Sequence, residues 1–130
     1  MPALALILGG ILIYFSSPAV VKGNLVNPIS PNAASLAGGK SLYRQNCLAC
    51  HGAAGKGDGP VGLTLNPRPA DLSYHAQPGV HSDGQLFDWI TNGFPGSAMP
   101  AFDQKLSDAQ RWDLVNFLRT LAAKPLQANP

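Results

Sequence analysis

The chain has 130 residues and a mass of 13.6 kDa, which fits one small domain with a short additional segment and excludes a two-domain enzyme. Its net charge is only +2 and it has no cluster of basic residues, which argues against a nucleic-acid partner. Glycine (14) and proline (12) are frequent, so much of the chain is predicted to be loop. The two cysteines lie too close together to form a long-range disulfide, so the domain needs another source of order.

The N-terminal segment is strongly apolar: residues 3–21 contain no charged side chain, and the first charge is Lys22. A helix of this length spans about 28 Å at 1.5 Å per residue, enough to cross the hydrocarbon core of a bilayer. We therefore predict a transmembrane anchor helix at residues 1–21. A cleaved signal peptide is the alternative, although such a peptide normally carries a Lys or Arg before its apolar run.

Residues 22–35 contain two prolines and no periodicity, and are predicted to form an extended linker. Such a segment reaches at most about 46 Å, enough to hold a domain away from a membrane surface. The globular domain is predicted at residues 36–124, and residues 125–130 form a C-terminal tail.

Three helices are predicted within the domain, connected by long loops rich in glycine and proline. Apolar side chains recur at helical spacing in each, and residues typical of helix caps stand at their starts. No segment alternates apolar and polar residues as a strand does, so we predict an all-α fold. The helices are expected from Leu36 into the cysteines, from Ser82 or Asp83 to Gly93, and from Ser107 to a stop before Pro125, with loops at 52–70 and 93–104.

The cysteines belong to the segment Cys47-Leu48-Ala49-Cys50-His51, which has the C-x-x-C-H pattern of c-type haem attachment. Two thiols one helical turn apart can add to the two vinyl groups of one porphyrin, and the histidine that follows can bind the iron. A thioredoxin-like pair needs a βαβ context, a structural zinc site needs a second pair of ligands, and a plain disulfide gives His51 no role. The sequence therefore predicts one covalent haem c.

The iron of such a haem needs a sixth ligand or has an open site. Met99 is the only methionine within the domain, and the neighbouring Gly96 and Pro100 predict a loop that can present it to a cofactor. His75 and His81 are rival ligands, and a buried core position is the other interpretation of the methionine. We predict Met99 as the sixth ligand.

From about Leu36 to Ala122 the sequence resembles the class I monohaem cytochromes c. The segments that carry this resemblance are GKSLYRQNCLACHG at the start, MPAF in the middle and RWDLVNFLRTL at the end. The resemblance implies a few helices wrapped around one covalent haem, with His51 on one side of the iron and Met99 on the other. The predicted architecture is therefore the class I cytochrome c fold, preceded by one transmembrane helix.

The same resemblance implies roles for residues outside the motif. It implies that the first and last helices cross where Gly39 and Tyr43 meet Phe117 or Leu118. It also implies that a proline carbonyl accepts the Nδ1 proton of the axial histidine, and Pro60 is the candidate for this proline.

A narrower resemblance is to the membrane-attached monohaem cytochrome c subunit of alternative complex III, a bacterial quinol-oxidising assembly. It rests on the segments NPISPNAASLAGGKSLY, HGAAGKGDGP, LNPRPADL and DGQLFDWITNGFPGSAMPAF. That subunit is often a lipoprotein, whereas here both cysteines belong to C-x-x-C-H and the N-terminus is apolar. The resemblance implies partners among membrane redox subunits: a multihaem cytochrome, integral membrane subunits and a downstream electron acceptor protein.

Two further residues are candidates for contact with the haem propionates. Arg68 can pair with a carboxylate through its guanidinium, although a solvated loop arginine is an equally good interpretation. Trp89 can donate its indole N–H to a propionate, although a place in the core is an equally good interpretation.

These features predict electron transfer rather than an enzyme, because iron capped by histidine and methionine has no open position for a substrate. The haem domain is expected on the periplasmic side of the cell membrane, since thioether attachment takes place outside the cytoplasm. The expected role is to take electrons from a quinol-oxidising complex and pass them to a periplasmic carrier or terminal acceptor. The alternatives are a soluble periplasmic shuttle with a cleaved signal peptide, and a haem-based sensor domain that binds a small ligand.

Overall fold

The computed structural model describes residues 25–122, and its regular structure in that range is entirely helical. The predicted anchor at 1–21 and the tail at 125–130 lie outside the described residues. Within the described range no helix combines the length and the apolarity needed to cross a membrane. The elements are α1 (Ala33–Asn46), α2 (Leu48–His51), a 3₁₀ turn (Gly62–Thr64), α3 (Leu72–His75), α4 (Asp83–Asn92) and α5 (Asp108–Leu121).

The two C-terminal helices begin at the predicted caps. Ser82 precedes α4 and Ser107 precedes α5, and each hydroxyl accepts a hydrogen bond from the backbone three residues on. The glutamines at those positions, Gln85 and Gln110, return a hydrogen bond to the cap backbone, which completes a capping box at both starts. Gly93 ends α4 with a φ of 75°, a conformation that glycine adopts without strain.

Helices α1 and α5 cross in direct backbone contact, as the family resemblance implied. A Cβ atom on Gly39 would lie 2.1 Å from the carbonyl oxygen of Asp113 and 2.7 Å from the Cβ of Phe117. The rings of Tyr43 and Phe117 pack with centroids 5.2 Å apart. Of the two candidates for the aromatic contact, Phe117 is therefore the one that meets the tyrosine, and Leu118 is buried in the core.

The core lies between α1, α4 and α5. From α5, Leu114 and Val115 are almost completely buried, and the ring of Trp112 stacks on Phe87 of α4 at a centroid distance of 3.9 Å. The buried apolar set is Tyr43, Ala76, Leu86, Ile90, Phe102, Leu106, Trp112, Leu114, Val115 and Leu118.

Residues 25–32, here called the strap, are extended chain that packs on the domain. Leu25 and Ile29 are partly buried against the core. Helix α1 begins at Ala33, which lies inside the predicted linker. The structure therefore differs from the linker predicted at 22–35: the strap is attached to the domain, and the last three residues of the segment are helical.

Candidate cofactor site

The C-x-x-C-H motif begins at Cys47, the single residue between α1 and α2, and continues along α2 to His51. The amide of Cys47 donates to the carbonyl of Tyr43 at 2.8 Å, and the amide of His51 donates to the carbonyl of Cys47 at 2.8 Å. This winding places the thiols of Cys47 and Cys50 about one helical turn apart, on neighbouring parts of the helix surface. Both cysteines are free and partly exposed.

The loop that follows α2 folds back and binds the carbonyls at the end of that helix. The amides of Gly57, Gly59 and Val61 donate to the carbonyls of His51, Cys50 and Ala49, at 2.9, 3.2 and 2.9 Å respectively. The last carbonyls of a helix have no partner within it. The loop supplies those partners and so fixes the backbone of the motif.

Two positions in this loop must be glycine because the loop backbone lies very close to the backbone of α2. A Cβ on Gly59 would lie 2.3 Å from the carbonyl oxygen of Ala49, and a Cβ on Gly62 would lie 2.0 Å from that of Cys50. Any side chain at either position would push the loop away from α2. The glycine-rich composition of the segment therefore serves a close approach of two backbones as well as a turn.

Tyr43 supports the motif from α1. Its hydroxyl donates to the carbonyl of Gly52 at 2.6 Å in a buried position. Burial raises the pKa of Tyr43, and the nearby Cys47 and Asp58 raise it further. The hydroxyl therefore stays protonated, as this hydrogen bond requires.

The imidazole of His51 is largely enclosed. Its Nδ1 atom is buried and has no hydrogen-bond partner among the described residues. Burial lowers the pKa of His51, while the adjacent backbone of Ala70 works in the opposite direction. A neutral imidazole is the form that binds a metal through its second nitrogen.

The structure does not contain the hydrogen bond predicted between His51 and Pro60. Pro60 is exposed, and the loop around it presents amide N–H groups, not carbonyls, to α2. The backbone beside the imidazole is instead that of Ala70, which follows the second proline-rich segment. A Cβ on Gly57 would lie 2.4 Å from the carbonyl oxygen of Pro69, so this segment also packs tightly on the glycine loop. The available sequence signal was the pair Pro67 and Pro69 just before Ala70, for which no role toward His51 was predicted.

The loop that follows Met99 lies near Cys47, because Lys105 of that loop affects the Cys47 thiol. Burial raises the pKa of the Cys47 thiol to about 12, Cys50 adds to that effect, and Lys105 opposes it. Met99 is partly buried and packs on the same core as Cys47. A Cβ on Gly93 would lie 2.7 Å from the carbonyl oxygen of Met99, so the methionine passes closely over the end of α4.

The two histidines that were considered as alternative iron ligands, His75 and His81, are hydrogen-bonded to each other. The Nδ1 atom of His75 lies 3.0 Å from the Nε2 atom of His81, and the ring of His81 meets the ring of Trp89 edge-on at 4.8 Å. Within residues 25–122 the indole N–H of Trp89 donates to no other group, and Arg68 is exposed on its loop. The structure therefore brings Trp89 to the histidine pair and leaves Arg68 in solvent.

The residues of the motif fit a covalent haem. Two free thiols one turn apart, followed at once by a histidine whose imidazole is largely enclosed, are the groups that haem c requires. In the part of the chain that the structure describes, no group of three or more His, Cys or Asp side chains could hold a bare metal ion. Fold and site together define a small all-helical haem protein.

Comparison with known proteins identifies the family. Residues 36–122 match the family model described as Cytochrome c, and the chain belongs to the cytochrome c family. It is a class I monohaem cytochrome c with a covalently bound haem c. The alternative complex III resemblance is not shown by these comparisons and stays a prediction.

Individual relatives agree with this assignment. The chain is 33% identical over 96 residues to the cbb3-type cytochrome c oxidase subunit CcoP of Azospirillum brasilense, covering 74% of this chain and 32% of that protein. It is 33% identical over 92 residues to cytochrome c6 of Synechocystis sp., covering 71% of this chain and 70% of that protein. A chain in the structure of the reducing HAO-like protein complex of Kuenenia stuttgartiensis aligns with a TM-score of 0.64 and 28% identity, covering 74% of this chain and 47% of that chain. The present chain thus spans about a third of the CcoP relative.

Proposed function

We propose that the iron of this cytochrome c is held by His51 and Met99 and that the domain carries single electrons within a membrane redox assembly. The observation that carries the proposal is the imidazole of His51, whose Nδ1 atom is buried, directly after Cys50 on a helix whose carbonyls are bound by the glycine loop. Bound haem supplies one-electron chemistry between the ferrous and ferric states. The protein supplies the position of the ligands and excludes water from them.

Met99 supports this assignment by its place in the fold. It lies partly buried on the core, on a loop that is fixed by a hydrogen bond from the Phe102 amide to the Ile90 carbonyl at 3.0 Å. Haem iron that is bound by a thioether and a histidine has a higher reduction potential than haem iron that is bound by two histidines. The six-coordinate iron then has no open position for a substrate or a gas.

The membrane assignment rests on the sequence and on the relatives. Residues 3–21 carry no charge and are long enough to cross a bilayer. The relative CcoP is named as a subunit of a cytochrome c oxidase, and the similar solved chain belongs to the reducing HAO-like protein complex. Both support a domain that works beside other redox subunits. We place the haem domain on the periplasmic side, taking electrons from a quinol-oxidising complex and passing them to a periplasmic carrier or terminal acceptor. Trp89 and Arg68 remain the proposed contacts of the haem propionates.

Replacement of Met99 tests the ligand assignment. Met99→Ala should open the sixth position, so that the ferrous protein binds carbon monoxide, and Met99→His should keep the iron six-coordinate at a lower potential. Ser97→Ala is the matched control, because it removes the hydroxyl that accepts from the Met99 amide and leaves the thioether in place. Ready binding of carbon monoxide by the unaltered protein would refute the assignment and favour a ligand-sensing domain.

Membrane attachment is tested separately. The unaltered chain should stay in the membrane fraction through a carbonate wash, and deletion of residues 1–21 should release it with an unchanged haem spectrum. Release of the unaltered chain by salt alone would favour the soluble shuttle.

A further inference from the structure

The strap is attached to α5 by a network of buried polar groups. Asn116 is only 5% exposed, and its side-chain amide donates to the carbonyl of Ile29 at 2.9 Å. Its oxygen accepts from the side-chain amide of Asn27 at 2.8 Å. The same Asn27 donates to the carbonyl of Trp112 at 3.3 Å and accepts from the amide of Ile29 at 2.9 Å. Three of these hydrogen bonds join the strap to the last helix, and the fourth, from the amide of Ile29 to Asn27, lies within the strap.

The network continues into α1. Asn116 also donates to the hydroxyl of Ser35 at 2.9 Å, and that hydroxyl donates to a carboxylate oxygen of Asp113 at 2.5 Å. Ser35 is 5% exposed and its hydrogen bond with Asn116 is buried, whereas the hydrogen bonds from Asn116 and Asn27 across to the strap are partly buried. If the strap left the surface, the side chain of Asn116 would keep only one of these partners in a buried position. The strap is therefore part of the folded domain and is not a flexible linker.

This attachment shortens the tether between the domain and the apolar N-terminal run. Only residues 22–24 separate that run from the strap, and three residues reach at most about 11 Å. The full segment of residues 22–35 would have reached about 46 Å if it were free. If residues 3–21 cross the membrane as proposed, this short tether keeps the domain at the membrane surface.

The outer face of the strap has the character of a contact surface. Val26 is 84% exposed, the highest exposure among the large apolar side chains of the described residues. No charged residue occurs from 23 to 39, so no charge on this stretch of chain has to be desolvated when a neighbour covers it. An apolar neighbour can therefore cover Val26 without the cost of removing water from a charge on this stretch of chain.

We propose that the strap holds the haem domain against an integral membrane subunit in one orientation, with Val26 in the contact, and that this assembly contains the domain's electron donor. The inference rests on the proposed membrane attachment and deepens it, because it excludes a domain that swings out on a long linker to collect electrons. A short, fixed tether raises the effective concentration of one neighbour and denies access to distant ones.

Hydrogen exchange on the full haem-loaded chain in detergent tests whether the strap is attached. The amide of Ile29 should be protected, and Asn116→Ala should speed its exchange at least tenfold. Asn92→Ala is the matched control, because Asn92 is exposed and its side chain bonds only to Asp88 within its own helix. Fast exchange at Ile29 in the unaltered protein would overturn the proposal, whatever the membrane assay shows.

Quenching by spin-labelled lipids tests the orientation in a bilayer. Haem attachment consumes both native cysteines, so single cysteines at exposed positions can carry a fluorophore: Ala34→Cys and Gln45→Cys at the two ends of α1, and Gln104→Cys away from its axis. We expect quenching that differs among the three positions. A ten-residue Gly/Ser insertion between residues 24 and 25, which adds about 18 Å of root-mean-square reach, should make the three values equal. Equal quenching in the uninterrupted chain would overturn the orientation and leave the anchor intact, whereas a chain absent from the bilayer would remove the anchor itself.

The same insertion tests the electron donor in the gently solubilised native assembly. Reduction of the haem by quinol should slow at least tenfold, while reduction by ascorbate should be unchanged. An unchanged rate with quinol would overturn the proposal. Failure of the unaltered assembly to use quinol would contradict the proposed function instead.

Discussion

The crossing of α1 and α5 at Gly39 gives the sharpest test of the packing argument. A methyl group on Gly39 would lie 2.1 Å from the carbonyl oxygen of Asp113, and that oxygen belongs to a helix backbone that cannot rotate away. The helices must therefore separate by on the order of 1 Å, and overpacking of a core by such an amount costs about 3 kcal/mol. Alanine gains about 1 kcal/mol over glycine in helix propensity, so Gly39→Ala should lose about 2 kcal/mol in net stability.

The neighbouring Gly38 is the matched control. A Cβ there would lie 3.4 Å from a carboxylate oxygen of Asp113, at the end of a side chain that can move. Gly38→Ala should therefore gain about 1 kcal/mol, because the helix propensity is the same and the clash is absent. The two variants should differ by about 3 kcal/mol, which corresponds to at least about 12 °C in the midpoint of thermal unfolding. Unfolding of the haem-loaded protein, followed by circular dichroism and haem absorbance, measures the difference, and equal midpoints would refute the geometry of the crossing.

Three further outcomes follow from the site. Tyr43→Phe keeps the ring but leaves the buried carbonyl of Gly52 without its donor, so it should cost about 1–2 kcal/mol in unfolding with no new haem ligand in the spectrum. Arg119→Gln removes hydrogen bonds to a carboxylate and to three backbone carbonyls and should cost about 2 kcal/mol, whereas Arg44→Gln on the exposed face of α1 should change stability little. Because burial lowers the pKa of His51, the chain before haem attachment should lose stability as the pH falls from the ordinary value of about 6.5 towards the lowered one, and an unfolding free energy of the haem-free chain that stays constant over that interval would contradict this.

Features encoded by short stretches of sequence were predicted correctly. The starts of α4 and α5 were predicted from residues typical of helix caps, and Ser82 and Ser107 occupy the cap positions. The crossing at Gly39 and Tyr43 was implied by the family resemblance and is confirmed in the structure. The spacing of C-x-x-C-H likewise fixes its geometry once the segment is helical, which is why the cofactor could be named from five residues.

The features that were wrong or missed depend on contacts between distant parts of the chain. The strap has no helical periodicity, and it is attached because Asn27 meets Asn116, 89 positions away in the sequence. The backbone beside His51 is that of Ala70, and no local pattern distinguishes that segment from the one containing Pro60. Such pairings follow from how the loops pass over the helices, which composition and periodicity do not determine.

The same helix crossing that stabilises the domain also positions the cofactor motif. Helix α1 leads into α2 through Cys47, whose amide bonds to the carbonyl of Tyr43. Tyr43 in turn packs on Phe117 at the crossing and donates its hydroxyl to Gly52, directly after the motif. Any change that separates the helices therefore moves the ends of the motif as well. The domain has no disulfide among its described residues, so we expect the covalent link to haem to supply the cross-link that a small, loop-rich domain needs.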